Sequence, residues 1–355
     1  MLLFYARMRH ALAWLFLLFL AGAACSAQIT PKVTVTRWPG DRQAAISLTF
    51  DDGMATHLDI AGPILKKHRL NGTFFVTAGS KAWRTRLQDW QRLAAEGHEM
   101  GGHTVHHPCL LERITPHAQA YTPEMMEAEI RDGAREIAAR IRSRRGLTFA
   151  YPCGNMSFGP PAAQPVNQAL YLRYVAEHFF AARNYGWSGT VAPDALSVLT
   201  APDLGLTAGR DFAGLLAMAQ PALRDGHWGV FSFHGIGGEH LSVSAEAFDE
   251  LAAYLARHPE IWTATFGDVV RYIQESKALG IQTVESGEVR VELALSWPLD
   301  PQIFDLPLTL KWEWPANWTA GAVEGDGKVI PFKLSGRILL LEVPPQTGRL
   351  RISRK

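Results

Sequence analysis

The chain has 355 residues, of which 47% are hydrophobic and 19% charged, and its formal net charge is +1. At roughly 150 residues per domain, this length predicts about two domains with a real core, and the composition excludes disordered, collagen-like and low-complexity chains. Because phosphate binding needs concentrated positive charge, the near-neutral balance argues against nucleic acid as a partner.

The first 25 residues have the order of a secretory signal peptide. Arg7 and Arg9 precede an apolar run at residues 11–20, and small residues then lead to Cys25. A membrane-spanning helix needs about 20 apolar residues, so this run favours a cleaved signal over an anchor. We expect an exported protein, periplasmic or secreted, that is attached to a membrane only if Cys25 is lipidated.

Only Cys109 and Cys153 remain after such a signal is removed. Two cysteines form no disulfide framework, although an oxidising compartment would allow them to pair once. Since the sequence gives no distance between them, we expect free, buried thiols.

From about Ile46 to Leu279, short apolar runs alternate with stretches of helical period. The runs of strand length are residues 46–50, 73–77, 147–151 and 229–233. Helical patterns cover residues 58–68, 86–96, 122–146, 211–224, 245–258 and 266–278. The clearest helix start is Thr122 as N-cap with Pro123 in the first turn. This alternation predicts an α/β fold around a parallel sheet, as a closed or distorted barrel or as an open sheet.

The hydrophobic pattern changes after Gly280. Apolar residues alternate with a period of two over residues 289–295, 306–314, 339–343 and 350–352. This pattern predicts a small antiparallel β domain over residues 281–355. Trp312, Trp314 and Trp318 suggest carbohydrate binding, but the alternation of Trp312 and Trp314 is typical of a strand facing a core, which we favour.

Polar side chains follow two of the predicted strands. Asp51 and Asp52 end the first run, in the string Thr49-Phe50-Asp51-Asp52-Gly53, and His234 ends the run at residues 229–233. Adjacent carboxylates repel each other unless their roles differ, so one could bind a metal while the other accepts a proton. The carboxyl ends of parallel strands are where α/β folds build active sites, although a polar turn and a structural histidine are the simpler alternatives.

A histidine cluster lies between these strands, in His103-Thr104-Val105-His106-His107-Pro108. His103 and His107 are four residues apart, so one helical turn would bring both imidazoles to one face, where a Zn²⁺ ion could bridge them. His106 could replace His107 as a ligand. The alternative to a metal site is a solvated cluster.

A further motif, Phe149-Ala150-Tyr151-Pro152-Cys153-Gly154, also follows a strand. Pro152 and Gly154 give it an unusual backbone path that could aim a main-chain N–H at an oxyanion. Together with the Asp51-Asp52 pair, the histidine string and Ser232-Phe233-His234, this motif resembles the successive motifs of the polysaccharide deacetylases, carbohydrate esterase family 4. The resemblance covers about residues 44–275.

The resemblance implies a role for each motif residue. Asp52, His103 and His107 would hold a divalent metal, usually zinc, with Asp51 as the general base and His234 as the general acid. The backbone N–H of Cys153, a position usually held by Tyr, would help to stabilise the oxyanion. The substrate-side residues by this comparison are Cys153, Tyr151, Arg183 and Trp187.

The sequence departs from the family pattern in two places. Ala150 stands where many members have the Arg that keeps the catalytic Asp ionised, and no acidic partner motif for His234 is evident. We hypothesise that Arg183, from the stretch at residues 182–187, supplies the missing charge near Asp51. An exposed loop arginine is the alternative.

Several aromatic residues near the motifs could form a platform for sugar rings: Trp187, Trp228, Tyr151 and Phe158. The sequence therefore predicts a metal-dependent deacetylase on a distorted (β/α) barrel at residues 26–280, followed by the β domain. Its expected partner is an acetylated polysaccharide, most simply one with N-acetyl groups. An O-acetyl esterase acting on xylan-like polymers and a non-catalytic glycan-binding protein are the alternatives.

Overall fold

The computed structural model describes residues 32–141, 145–186, 189–287, 289–313 and 320–354. The predicted signal peptide with Cys25 lies outside these ranges, as do Trp187, Trp314 and Trp318. Within the described ranges, no helix is long and apolar enough to cross a membrane.

The strands form one parallel sheet and two antiparallel sheets. In chain order they are β1 (Val33–Val35), β2 (Ala44–Phe50), β3 (Thr73–Val76), β4 (Glu99–Gly102), β5 (Thr148–Ala150), β6 (Ala181–Arg183), β7 (Trp228–Phe233), β8 (Ile261–Thr263), β9 (Gly280–Ser286), β10 (Arg290–Ser296), β11 (Leu308–Glu313), β12 (Ala320–Gly325), β13 (Lys328–Val329), β14 (Phe332–Ser335), β15 (Ile338–Val343) and β16 (Arg349–Arg354). The helices are α1 (Gly62–His68), α2 (Lys81–Thr85), α3 (Leu87–Ala95), α4 (Pro123–Arg140), α5 (Gln164–His178), α6 (Phe212–Asp225), α7 (Ala245–Arg257) and α8 (Phe266–Ala278), and a π-helical turn, His57–Ala61, leads into α1.

The parallel sheet has the strand order β6-β5-β4-β3-β2-β7, and β8 pairs with the first half of β2. All seven residues of β2 are buried, because helices cover one side of the sheet and the other side faces the barrel interior. The order places β2 and its two terminal aspartates between β3 and β7. The expected α/β fold with a distorted barrel is confirmed.

An irregular segment bridges the gap between the edge strands β6 and β7. The N–H of Ala182 donates to the carbonyl of Val198 at 2.7 Å, and the N–H of Leu204 donates to the carbonyl of Val230 at 2.8 Å. Residues 198–204 therefore satisfy backbone groups that an open sheet would leave unpaired.

Local capping explains where several helices begin. The side chain of Thr122 accepts the N–H of Met125 at the start of α4, as the sequence predicts, and Asp211, Ser244 and Thr265 cap three further helices in the same way. Helix α4 ends at Arg140, earlier than the expected end near Gly146. Helices α2 and α5 and strands β4, β6 and β8 lie where no element of their kind is predicted.

The two antiparallel sheets have the orders β1-β11-β15-β14 and β13-β12-β16-β10-β9. They enclose their own apolar cluster, which includes Trp312 with no exposed surface, so the expectation of a core role for Trp312 is confirmed. Strand β1 comes from the N-terminal side of the parallel sheet but pairs with β11, with Val33 opposite Trp312. The predicted domain boundary at residue 280 does not account for this pairing of an N-terminal strand with a C-terminal one.

Candidate active site

The carboxyl end of β2 carries Asp51 and Asp52 into a sharp turn. The N–H of Asp51 still belongs to the sheet and donates to the carbonyl of Phe233 at 2.9 Å. Asp52 and Gly53 both have positive φ, 76° and 65°, so the backbone leaves the strand abruptly. A Cβ atom on Gly53 would lie 2.6 Å from a methyl carbon of Val76, which explains the need for glycine there.

Asp52 lies beside the imidazoles of His103 and His107. Its Oδ1 is 3.4 Å from Nε2 of His103 and 3.3 Å from Nε2 of His107. One donor atom from each residue lies within 4.8 Å of the others. The structure thus brings together the three residues that the sequence analysis assigns to a metal.

This donor set fits a zinc ion. Zn–N and Zn–O bonds of about 2.0–2.2 Å in a tetrahedral site put neighbouring ligand atoms roughly 3.3 Å apart, close to the two separations between Asp52 Oδ1 and the imidazole nitrogens. Nδ1 of His103 lies 2.7 Å from the carbonyl oxygen of Ala150 and must therefore donate a proton to it. This bond leaves the Nε2 lone pair free to bind a metal, as is usual for metal-ligating histidines.

The two histidines do not lie on a helix, so that part of the prediction is wrong. They follow β4 in an irregular loop in which Thr104 and His107 have positive φ, 62° and 59°. This backbone folds the loop back, and the imidazole centroids of His103 and His107 come to 4.8 Å from each other. The Oγ1 of Thr104 accepts the N–H of His107 at 3.0 Å and helps to hold the fold of the loop.

Glu129 on α4 stabilises the same loop through hydrogen bonds. Its Oε2 accepts the N–H groups of Val105 and His106 at 2.9 and 2.8 Å, and its Oε1 lies 2.7 Å from Nδ1 of His106. The imidazole of His106 therefore faces Glu129 and does not join the Asp52 cluster. This contact removes His106 as the alternative ligand.

Asp51 is buried, and both of its carboxylate oxygens contact one nitrogen of Arg183. Nη2 of Arg183 lies 2.5 and 2.6 Å from the two carboxylate oxygens, and its Nη1 donates to Oγ of Ser232 at 2.7 Å. Arg183 itself has no exposed surface, because it ends β6 and reaches across the barrel interior toward β2 and β7. The structure places this arginine where the hypothesis requires a charge.

The electrostatics of the cluster favour ionised carboxylates. Burial has the largest single effect and raises the pKa of Asp51, but the positive charge of Arg183 together with the neighbouring imidazoles of His103 and His234 outweighs it, and the pKa lies below its ordinary value. Asp52 is also desolvated, yet its hydrogen bond to His103 and the neighbouring imidazoles lower its pKa strongly. Both carboxylates are therefore available as a base and as a ligand at neutral pH.

The two candidate histidine ligands shift in opposite directions. Burial opposes protonation of His103, but its hydrogen bond to Asp52 and the two carboxylates raise its pKa. Burial and the neighbouring charge of His103 lower the pKa of His107 to about 4. His107 is therefore neutral at pH 7, which is the form that binds a metal.

Asp203 is a second buried acid near Arg183. It has no exposed surface, its Oδ1 accepts the N–H of Gly186 at 3.1 Å, and its Oδ2 lies 3.9 Å from Nη1 of Arg183. Burial raises its pKa, against the lowering effect of Arg183. One guanidinium thus lies between two buried carboxyl groups.

His234 follows β7 at the same rim, half-buried, with its ring edge-on to Tyr185 at a centroid distance of 5.5 Å. Burial lowers the pKa of His234, against the raising effect of Asp51 and Asp52. A lowered pKa makes the protonated imidazole a stronger acid.

His57 links the loops that follow β2 and β7. Its Nδ1 accepts the N–H of Met54 at 3.2 Å, so its Nε2 carries the proton and donates to the carbonyl of His234 at 2.8 Å. His57 is fully buried, which lowers its pKa to about 4 and keeps the ring neutral. The sequence analysis gives His57 no role.

Cys153 lies in the loop after β5 with φ of 53°, a left-handed conformation unusual for a residue with a side chain. Its sulfur is bonded to that of Cys109, and the two Cα atoms are 6.0 Å apart. The expectation of free thiols is therefore wrong. The spatial proximity that decides pairing could not be derived from a spacing of 44 residues.

Three aromatic residues of the expected sugar platform belong to the core. Tyr151, Trp228 and Phe158 have no exposed surface, and Nε1 of Trp228 donates to Oγ of Ser47 at 3.0 Å. The prediction that Tyr151 contacts substrate is therefore wrong, because a run of aromatic residues beside a motif equally serves the packing beneath it. The half-buried aromatic ring at the rim is that of Tyr185, a residue the sequence analysis gives no separate role.

Glu129, Asp203 and His57 are the polar site residues that the sequence analysis does not identify. Each is a single polar residue within an otherwise unremarkable segment. The sequence signal for Glu129 is its place beside Ile130 on the apolar face of α4, where a carboxylate needs a buried partner.

The structure thus places an Asp-His-His donor set at the carboxyl ends of the strands of a parallel sheet. Residues 40–168 match the family model described as polysaccharide deacetylase. The resemblance to the polysaccharide deacetylases seen in the motifs is confirmed over this stretch.

Individual relatives give the extent of the similarity. A gellan lyase of a Bacillus species is 24% identical over 341 residues, which are 90% of this chain and 13% of that protein. The peptidoglycan-N-acetylmuramic acid deacetylase PdaA of Bacillus subtilis is 31% identical over 111 residues, 31% of this chain and 41% of PdaA. The chain thus spans less than half the length of either curated relative.

The solved structure of Bacillus subtilis PdaA, a family 4 carbohydrate esterase, is 19% identical. The match covers 64% of this chain and 80% of that one, with a TM-score of 0.40.

Proposed function

We propose that the protein is a metal-dependent hydrolase that removes acetyl groups from an exported or cell-envelope polysaccharide, with N-acetylated glycans as its substrates. The observation that carries this proposal is the Asp52, His103 and His107 donor set beside the buried Asp51–Arg183 pair. The named activity of PdaA supports an N-acetyl substrate.

Asp52, His103 and His107 would hold the ion. A bound divalent metal such as Zn²⁺ lowers the pKa of water and polarises an acyl carbonyl. Asp51, kept ionised by Arg183, accepts a proton from the attacking water. The backbone N–H of Cys153 donates to the oxygen that becomes negative, and His234 gives a proton to the departing amine. Acetate and a free amino group are the products.

The proposal is tested by acetate release from chitooligosaccharide, peptidoglycan and acetylated xylan, each with and without a chelator. We expect release from an N-acetylated substrate, loss with the chelator and recovery with added zinc. Release from xylan alone would show the O-acetyl esterase alternative. Glycan binding without release from any polymer would contradict the proposal and favour the binding protein.

The histidine string offers a matched pair of variants. We expect His107→Ala to lose most bound zinc, because it removes one of three donors, and His106→Ala to keep it, because His106 faces Glu129. Zinc per chain, measured by atomic absorption, decides between them. Equal zinc content in the two variants would contradict the assigned donor set.

A further inference from the structure

The Cys109–Cys153 disulfide joins the two loops that carry the candidate chemistry. Cys109 lies two residues after the donor His107, and Cys153 itself carries the backbone N–H assigned to the oxyanion. The bond therefore connects a metal-binding loop directly to an oxyanion loop, although 44 residues separate them along the chain.

The backbone that leads into each of the two cysteines is stiff. Pro108 precedes Cys109, Pro152 precedes Cys153, and both prolines are buried. Proline fixes φ near −65°, so movement of either half-cystine is transmitted to the neighbouring residues instead of being absorbed. Cys109 has no exposed surface, and its carbonyl accepts the N–H of Ala118 at 2.8 Å, which anchors that side of the bond.

The strands beneath these loops share little backbone pairing, although Oγ1 of Thr148 donates to Oε1 of Glu99 between them at 2.6 Å. Strands β4 and β5 have one paired position, Gly102 opposite Phe149. Beyond it, the loops are joined by the disulfide and by hydrogen bonds. His103 donates to the carbonyl of Ala150, the side-chain oxygen of Asn155 accepts the N–H of Leu110 at 2.9 Å, and the N–H of Gly159 donates to the carbonyl of Ala118 at 2.9 Å.

Three residues of these loops have an unfavourable backbone conformation. Thr104 and His107 in one loop and Cys153 in the other have positive φ although none is a glycine. Such conformations persist only where their surroundings enforce them. A covalent bond between the two loops is suited to that task.

We propose that the Cys109–Cys153 disulfide is a positioning device that fixes His107 and the Cys153 N–H relative to each other. The inference rests on the proposed function for its kinetic consequence, but its effect on the metal site is independent of catalysis. The bond is expected to affect zinc affinity and turnover beyond its effect on stability.

The test compares oxidised protein, reduced protein and the double variant C109S/C153S. A phosphine is the reductant, since a dithiol would itself bind zinc; the S–S bond becomes two thiols as the phosphine takes up oxygen from water. The serine variant keeps the backbone N–H at residue 153 and has no sulfur at either position. It is the control for the reductant, which should leave it unchanged.

Removal of the disulfide is expected to raise the zinc dissociation constant about tenfold and to lower kcat about tenfold, with KM within about threefold, because groups that orient metal ligands have effects of this size. The zinc constant is measured by competition with a chromogenic chelator. Values within about twofold of the oxidised protein, with only the thermal midpoint lowered, would overturn the inference.

Two further outcomes are also decisive. If the oxidised protein releases no acetate from any polymer, the proposed function fails, and the zinc constants alone decide whether the disulfide positions the site. If the double variant does not fold by circular dichroism, the reduced parent protein decides. Unfolding of both would show a disulfide that serves stability only and would overturn the inference.

Discussion

Arg183 places one guanidinium between the buried acids Asp51 and Asp203. Its two short contacts with Asp51 leave the carboxylate ionised in a site from which water is largely excluded. Charge of this kind is stable in the interior only as a pair, because either partner alone would be a desolvated ion. The arginine thus has a consequence for stability as well as for the candidate base.

Arg183→Met is expected to lower kcat roughly 100-fold, the range for loss of a general base, and the free energy of unfolding by about 3–5 kcal/mol. Arg183→Lys keeps the charge but lacks the second nitrogen that donates to Ser232, so its loss should be smaller in both. Urea unfolding and initial rates of acetate release measure these effects.

Arg271 provides the control, since it is also buried and ion-paired, to Asp268 at 2.9 Å, but lies on α8 away from the motif loops. Arg271→Met should lose stability and keep kcat once folded. Equal losses of kcat in Arg183→Met and Arg271→Met would indicate a purely structural role for Arg183.

The place of Arg183 could be inferred because the motif pattern left a missing charge near Asp51. Asp203 could not be inferred, since nothing in its local sequence shows that it folds against the same arginine. The same reason applies to the sulfur pair: motif order indicates which loops meet, but the distance between two Cα atoms depends on the whole fold.

At the level of elements, α8 carries a buried carboxyl group that is unrelated to the candidate site. Glu275 has 3% of its surface exposed, and one of its oxygens accepts the N–H of Leu306 at 3.2 Å. Burial raises its pKa to about 7; the Leu306 N–H lowers it, Asp305 raises it, and Arg271 and Arg145 lower it. Its proton is therefore retained in the folded state at pH values where the unfolded chain has lost it.

The contribution of Glu275 to stability should fall as the pH rises from about 4.5 to 7, because in this window its carboxyl group holds a proton in the folded protein that it has lost in the unfolded chain. The loss is expected to be about 1–3 kcal/mol. The buried rings of His57 and His107, whose pKa values are lowered to about 4, contribute in the opposite direction, so the effect is measured as a difference between variant and parent. Glu275→Gln, which keeps an acceptor for Leu306 and carries no charge, should remove this contribution, so that its free energy of unfolding rises relative to that of the parent by this amount across the window. Urea unfolding at several pH values measures it.

Glu246, an exposed glutamate on α7, gives the matched control. Glu246→Gln should keep the pH dependence of the parent protein's stability. A Glu275→Gln variant with the same dependence of stability on pH as the parent protein would show that Glu275 does not hold its proton.

The elements that the sequence predicts well are those with a strong pattern. Strands β2 and β7 are long apolar runs, and α4 has a cap and an apolar face. Strand β4 contains two glycines and β6 is Ala-Ala-Arg, so neither has the β-branched or aromatic residues that indicate a strand. Helix α5 buries polar and aromatic residues such as Asn167 and Tyr171, which gives no clear apolar stripe.

For the whole molecule, the main organising feature is the pairing of the N-terminal strand β1 with β11 in the C-terminal part. Strand β1 completes the sheet of the C-terminal part, while residues just after it bind the parallel-sheet part. The hydroxyl of Tyr272 on α8 donates to the carbonyl of Thr36 at 3.1 Å and lies 3.0 Å from the Thr36 Oγ1. The N–H of Thr36 in turn donates to the carbonyl of Thr309 at 2.9 Å.

We expect the two parts to unfold together in the parent protein. Tyr272→Phe removes a buried hydroxyl that joins them and should lower the free energy of unfolding by about 1–2 kcal/mol, with greater protease sensitivity near β1. Urea titration and limited proteolysis measure these changes.

Tyr254→Phe, in a half-buried ring on α7, is the comparison. The link assigned to Tyr272 would be wrong if both variants had the same stability and the same cleavage pattern.

The two hydrogen bonds of the His57 ring join the loops that follow β2 and β7, and they limit the pH range in which these loops stay together. Below its pKa of about 4, a proton added to Nδ1 would point at the Met54 N–H, so that two donors would face each other. The turn that presents the aspartates would then separate from the loop that presents His234. His57, which touches neither substrate nor metal, would thus set the lowest pH at which the two loops keep their relative position.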